Sequence, residues 1–181
     1  MNTFVLEIWD DEANKCTFYT VRKENARQNE TDKFFNKYDA IAEFKEPVQD
    51  LLSFVLDSIG NDHGAIDALF NRFENEVVGL PNKGKVNVGG IVFLYPKFPL
   101  RLYALRVNGR PDLVVLFNGG VKTAQTNQGS RDLHLKWIEA CQFAKRIEEA
   151  LRDKEIVVDN KRRKILPADG GDEIILQNVF L

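Results

Sequence analysis

Cysteine and histidine are scarce in this chain, with two of each among 181 residues. Cys16 and Cys141 stand far apart, with no C-x-x-C spacing and no histidine cluster beside either, which excludes a zinc finger or ribbon. A disulfide between them is compatible with the sequence, but nothing requires one, and two free thiols fit a reducing cytoplasm. His63 lies in the polar stretch Asp62-His63-Gly64 and reads as structural. His134 falls early in a long helix, either exposed or packed. A nucleophile–histidine triad therefore has little material. Long apolar runs are also missing. Nothing approaches the ~18 residues of a membrane helix, and Met1–Glu7 lacks the basic segment of a secretory signal. No phosphate-binding GxxxxGK[ST], dinucleotide GxGxxG, metalloprotease HExxH or hydrolase GxSxG is present. Gly84, Gly89-Gly90 and Gly119-Gly120 do not open helices, so no cofactor is expected.

What is present is an ordinary globular composition: 44% hydrophobic and 29% charged side chains. A chain of this length buries roughly 70% of its unfolded surface and needs no staple. The net charge of −2 and pI near 5.8 argue mildly against nucleic acid. The distribution says otherwise. Residues 1–82 hold 8 basic and 16 acidic side chains. Residues 83–136 hold nine basic (Lys83, Lys85, Lys97, Arg101, Arg106, Arg110, Lys122, Arg131, Lys136) against two acidic, Asp112 and Asp132. A basic middle behind an acidic front suits a polyanion-facing surface, or equally a solvated sheet face.

Periodicity supplies the elements. Residues 3–9 alternate and Cys16–Arg22 are β-rich, predicting an N-terminal hairpin. Thr31 is placed to cap a helix running to about Phe44. Pro47 starts a second helix that Gly60 closes, and a short third is expected at 64–73. Val86–Tyr95, Leu100–Val107 and Leu113–Phe117 read as a three-stranded antiparallel meander, with Asn118-Gly119-Gly120 ending it. Asn108-Gly109 is a strong turn signal, and uninterrupted Leu113–Phe117 suits a central strand covered on both faces. Ser130 opens a long helix to about Asp153. A hairpin over 155–167 and a last strand over 174–181 follow. The class is α+β, with helices packed on an antiparallel sheet in one domain.

Arg101 and Tyr103, two apart on one strand, project from the same face, and Arg106 falls on the other. Lys122 follows the next strand. Arginine, tyrosine and lysine on one sheet face suit a phosphodiester and its charged transition state, with no metal needed if the 2′-hydroxyl of RNA attacks. The stretch from Phe98 to Thr126, with Arg101-Leu102-Tyr103 near its start and Val121-Lys122-Thr123-Ala124-Gln125-Thr126 at its end, resembles the RelE/HigB superfamily of ribosome-dependent toxins. The resemblance covers residues 98–153, with a looser extension back to about 48. The family's second basic residue after the lysine is replaced here by Thr123. The resemblance implies a RelE-like core, cleavage of messenger RNA on the ribosome, and neutralisation by an antitoxin, expected to be a helix-turn-helix protein. It implies Arg101, Lys122 and Tyr103 as catalytic residues, with Lys97, Arg106, Arg110 and Arg131 holding RNA. The alternative is a non-catalytic RNA- or protein-binding module of phage or mobile-element origin.

Overall fold

The computed structural model describes residues 2–122 and 126–178. Thr123, Ala124 and Gln125 of the Lys122-Thr123 motif, and residues 179–181 of the expected last strand, lie outside that range. Among the described residues, eleven strands and three α-helices follow one another. They are β1 (Thr3–Asp10), β2 (Thr17–Lys23), α1 (Glu30–Asp39), α2 (Lys45–Ser53), β3 (Phe73–Glu74) and β4 (Val77–Leu80), then β5 (Val86–Val88), β6 (Ile91–Phe93), β7 (Leu100–Arg106) and β8 (Leu113–Val121). The chain closes with α3 (Asn127–Arg152), β9 (Ile156–Asp159), β10 (Lys164–Pro167) and β11 (Ile174–Gln177). Seven strands form one sheet in the order β11-β1-β2-β8-β7-β4-β3. Every pair in it is antiparallel except β2 with β8. The protein is thus α+β, with a mostly antiparallel seven-stranded sheet.

The uninterrupted apolar run of β8 takes the central place because both of its faces are covered. Val114 and Leu116 face α1 and α2, while Leu113, Val115 and Phe117 face α3. β7 divides likewise: Leu102 and Ala104 pack on the first side, Tyr103 and Leu105 on the second. The helices therefore sandwich the sheet rather than cover one face.

The expected meander is corrected at its first strand. β5 and β6 pair only with each other, and β7 pairs with β4. The hairpin lies on the first core instead of extending the sheet: Phe93, Val86 and Val88 pack on that core, while Ile91 and Val92 are about half exposed. Nor does Asn118-Gly119-Gly120 end β8. It continues the strand past a bulge, where Phe117 and Asn118 together oppose Tyr103. The N-terminal hairpin is inside the sheet, since β2 runs parallel beside β8.

Helix ends also shift. Asn29 caps α1 by accepting from Asp32 N at 2.7 Å. Thr31, expected as that cap, is buried one residue inside the first turn. Its hydroxyl meets Thr20 Oγ1 at 2.7 Å and donates to Phe117 O at 3.1 Å, tying α1 to β2 and β8. α2 does not stop at Gly60. It continues as a π-helix over Phe54–His63, and Gly64 turns the chain at φ +77°. Gly60 instead packs against Ala13 and Phe18. No third helix forms over 64–73; that stretch is turns and the start of β3. Ser130 lies within α3, whose cap is Thr126, accepting from Gly129 N at 3.0 Å. The tail hairpin forms as β9 and β10, and β11 adds to β1.

One buried charge braces the first face. Glu30 is 0% exposed. Burial pushes its carboxyl up, yet the hydrogen bond from Lys33 (2.7 Å), the charge of Lys23 and the amide of Asn118 (3.2 Å) outweigh it and hold the group below the usual range. A depressed carboxyl adds stability at neutral pH that is lost as pH falls through its folded value. Glu30→Gln should therefore cost about 1–3 kcal/mol at pH 7. Urea unfolding should show this cost shrinking as the pH falls through the lowered folded value of the carboxyl, where the parent group is protonated too. A cost independent of pH would remove this account.

Candidate functional site

The two catalytic candidates on β7 reach one cleft because a strand returns to the same face every second residue. Arg101 and Tyr103 both turn toward α3, and the β8 bulge carries the chain on to Lys122 beside them. The peptide N–H of Lys122 donates to Pro99 O at 2.6 Å, which pins the end of β8 to the entry of β7. The three side chains line one cavity of about 360 Å³. Its other wall is a stripe of α3, where Ser130, Leu133, His134 and Trp137 recur at helical spacing. Glu74, from the two-residue edge strand β3, completes the lining.

The depths of the polar groups differ. Arg101 is 7% exposed and Tyr103 is 2% exposed, whereas Lys122 and His134 are open to solvent. Arg101 donates from Nη1 to its neighbour's carbonyl, Leu100 O, at 3.0 Å. Burial, and then the charge of Arg72, draw its guanidinium below the ordinary arginine range, while Glu74 and Tyr103 oppose the shift. It stays cationic, because an arginine does not lose its proton in a protein. Burial, reinforced by the charge of Glu74, pushes the Tyr103 phenol up against the pull of Arg101. Tyr103 is therefore a neutral hydrogen-bond donor at physiological pH and not a base. The cleft thus pairs a cationic wall with an aromatic one formed by His134 and Trp137, whose rings lie 5.5 Å apart.

The four residues expected to hold RNA are not in this cleft. Arg106 lies on the opposite face, as the strand alternation requires. It pairs with Asp67 at 2.6 Å, donates to Ala65 O at 3.2 Å and covers the Phe70 ring. Arg110 forks onto both oxygens of Asp112 at 2.8 Å each and also meets Asn160. Both arginines are committed to internal ion pairs. Lys97 is exposed in the turn before Phe98, and Arg131 is exposed on α3, donating to Gln128 Oε1 at 3.2 Å.

Three lining residues escape a sequence reading. Glu74 sits in a strand too short to leave a pattern. Trp137 looks like any member of the α3 apolar stripe, and His134 has nothing nearby in sequence to give it a role. The usable signal is the polar end of that stripe, Ser130 and His134, set beside the Lys122 motif.

Both cysteine thiols are poor nucleophiles. Burial pushes Cys16 up, and burial together with Glu76 pushes Cys141 up to about 12. His63 ends the π-helix edge-on to Phe93, 5.6 Å between ring centres. Among the described residues no helix is long and apolar enough to cross a membrane, and no three His, Cys, Asp or Glu side chains gather as a metal site. Compared with protein-family models, with curated proteins and with solved structures, the chain finds no match.

Proposed function

We propose that this chain is a toxin-type endoribonuclease that cuts messenger RNA on the ribosome without a bound metal, and that a helix-turn-helix antitoxin neutralises it. The observation that carries the reading is convergence: Arg101, Lys122, Tyr103 and His134 surround one cleft. The resemblance of residues 98–153 to the RelE/HigB toxins points the same way.

In this reaction the 2′-hydroxyl attacks the adjacent phosphorus and the bond from phosphorus to the 5′-oxygen breaks. The products are a 2′,3′-cyclic phosphate and a 5′-hydroxyl. One proton leaves the 2′-oxygen and one reaches the 5′-oxygen. Histidine is the side-chain type suited to such transfers near neutrality, which gives His134 that task. Arg101 and Lys122 bind the non-bridging oxygens and offset the charge that grows on them. Tyr103 keeps its proton and donates a hydrogen bond. Lys97 and Arg131 extend the phosphate path outside the cleft, and Arg106 and Arg110 take no part.

The second reading, a non-catalytic RNA- or protein-binding module, draws on the depth of Arg101 and Tyr103, which a polymer reaches only through the cavity mouth. Incubating the purified chain with single-stranded RNA, without ribosomes in excess EDTA and with ribosomes in the magnesium their assembly needs, separates the two. The expected result is cleavage that leaves 2′,3′-cyclic phosphate ends and weakens as salt rises. Salt-sensitive binding with intact RNA would decide for the module. Neither binding nor cleavage would remove both.

A further inference from the structure

The hairpin of β5 and β6 lies on the side of the sheet opposite the cleft, and only part of it is packed. Phe93 is buried, with Val86 and Val88 beside it, in the core shared with α1 and α2. Ile91, Val92 and Leu94 are instead 52%, 48% and 53% exposed. Eight large hydrophobic side chains are exposed among the described residues, and three of them fall within these four positions. Single ones scattered over a surface need no explanation, but a cluster marks a surface that is covered in use. Lys83 and Lys85, both exposed, lead into β5, and residues 82–94 contain no acid.

The surface next to it has the opposite sign. Residues 43–62, which include α2 and its π-helical continuation, carry Glu43, Glu46, Asp50, Asp57 and Asp62 against Lys45 alone, and all five acids are exposed. The two surfaces adjoin. Phe54, between Asp50 and Asp57, packs edge-on against Phe93 and Tyr95, with ring centres 6.2 and 5.3 Å apart. Asp50 stands close enough to Tyr95 for its charge, after burial, to push that phenol up. Yet among the described residues no ion pair joins the five carboxylates to Lys83, to Lys85 or to any other base. The chain therefore carries both halves of a charge-complementary surface and leaves them open.

We infer that the β5–β6 hairpin is the contact through which two copies of this chain form a two-fold dimer. Ile91, Val92 and Leu94 of the two copies pack together at the axis. The lysines leading into β5 of each copy lie over the acidic side of α2 in the other. A two-fold contact is self-complementary, so each copy must supply both surfaces, and this chain does. RNA is the other candidate occupant for the lysines. The exposed side chains of the hairpin are aliphatic rather than aromatic, which gives bases nothing to stack on, and the neighbouring carboxylates repel phosphate. The Arg101 cleft opens on the far side of the sheet, against α3, so the dimer leaves both clefts free. The inference does not depend on the ribonuclease reading.

Sedimentation velocity of the full-length chain over a range of concentrations tests this. The expected species has twice the chain mass of 20.7 kDa. Its dissociation constant should rise at least ~10-fold as salt goes from about 0.05 to about 0.5 M. Val92→Asp, which sets a charge in the apolar centre, should weaken the dimer at least ~10-fold. Lys83→Glu with Lys85→Glu should do the same, and so should Glu46→Lys with Asp50→Lys. Mixing these two charge-reversed proteins is decisive, because their facing surfaces are complementary again. The mixture should form a heterodimer within about 3-fold of the parent affinity, although each alone is a monomer. Three results would each overturn the assignment: a parent chain that stays monomeric up to ~100 μM, a dimer that none of the changes weakens, or folded reversed proteins that fail to pair on mixing. Loss of RNA binding instead of self-association in the lysine variant would give the hairpin to RNA. Thermal unfolding shows whether each variant is folded, and where one is not, the mass and salt dependence of the parent decide.

Discussion

Arg101→Ala should lower RNA cleavage at least ~100-fold, the cost of removing one preorganised donor from a charge-stabilising site. Arg101 is the deepest cation in the cleft, and at 7% exposure its charge is poorly screened. Lys122 is solvent-exposed, so Lys122→Ala should cost less, about 10-fold. Arg101→Lys keeps the charge but loses the planar fork, and should fall between them. The truncation also has a structural cost, since the Arg101 stem packs near Gly79 and the guanidinium offsets the charge of Glu74. About 1–3 kcal/mol of stability should go with it. Single-turnover cleavage, measured beside thermal unfolding, keeps the two effects apart. A folded Arg101→Ala protein that retains half of the parent rate would remove Arg101 from the chemistry. The pH profile offers an independent check. With the Tyr103 phenol held above its ordinary range, no rise in rate from its ionisation should appear through pH 9.

Much of this cleft is legible in the sequence, and the reasons are local. Arg101-Leu102-Tyr103 is an alternating strand, so the shared face of its outer residues follows from the pleat alone. The apolar run Leu113–Phe117 admits one explanation, burial on both sides, and β8 is indeed central. What local pattern does not carry is partnership. β4 and β5 are both short and β-rich, and the choice of β4 as the neighbour of β7 depends on which strand buries its faces. Val77–Leu80 are fully buried and Ile91–Val92 are not. The parallel pairing of β2 with β8 joins segments nearly a hundred residues apart, which no window of sequence contains. Thr31 and Ser130 show a subtler limit. Each has a capping side chain at the start of a helical pattern. Yet Asn29 and Thr126 stand earlier in the chain and make the caps, while tertiary contacts claim Thr31 and the cleft claims Ser130. Glu74 is the least legible of all, because its role comes from the closing of β3 against the far edge of the sheet.

Gly119→Ala should be the most damaging single methyl group on the β7–β8 pair, costing about 3 kcal/mol or more. Gly119 pairs with Leu102 just past the bulge. A methyl built there overlaps the carbonyl oxygen of Arg101, and it lies 2.8 Å from that carbonyl carbon and 3.0 Å from Leu102 Cα. These are backbone atoms, so no rotamer relieves the clash, and either the strands part or the bulge moves. The bulge is held on its other side. Asn118 accepts from Gly119 N at 2.7 Å and donates to the buried Glu30 at 3.2 Å, which couples the register of β8 to α1. Relief by sliding would break that bond and uncouple the buried charge. Gly84 and Gly170 supply the contrast. Both have positive φ but nothing within 4 Å of an added Cβ, so alanine there should cost only about 1 kcal/mol through backbone strain. Urea unfolding of the three variants measures the difference. If Gly119→Ala lies within about 1 kcal/mol of the Gly84 and Gly170 variants, the close approach of β7 to β8 is wrong. In that case the placement of Arg101 beside Lys122 loses its support, because the approach that forbids a side chain at Gly119 also brings the two cations to one cleft.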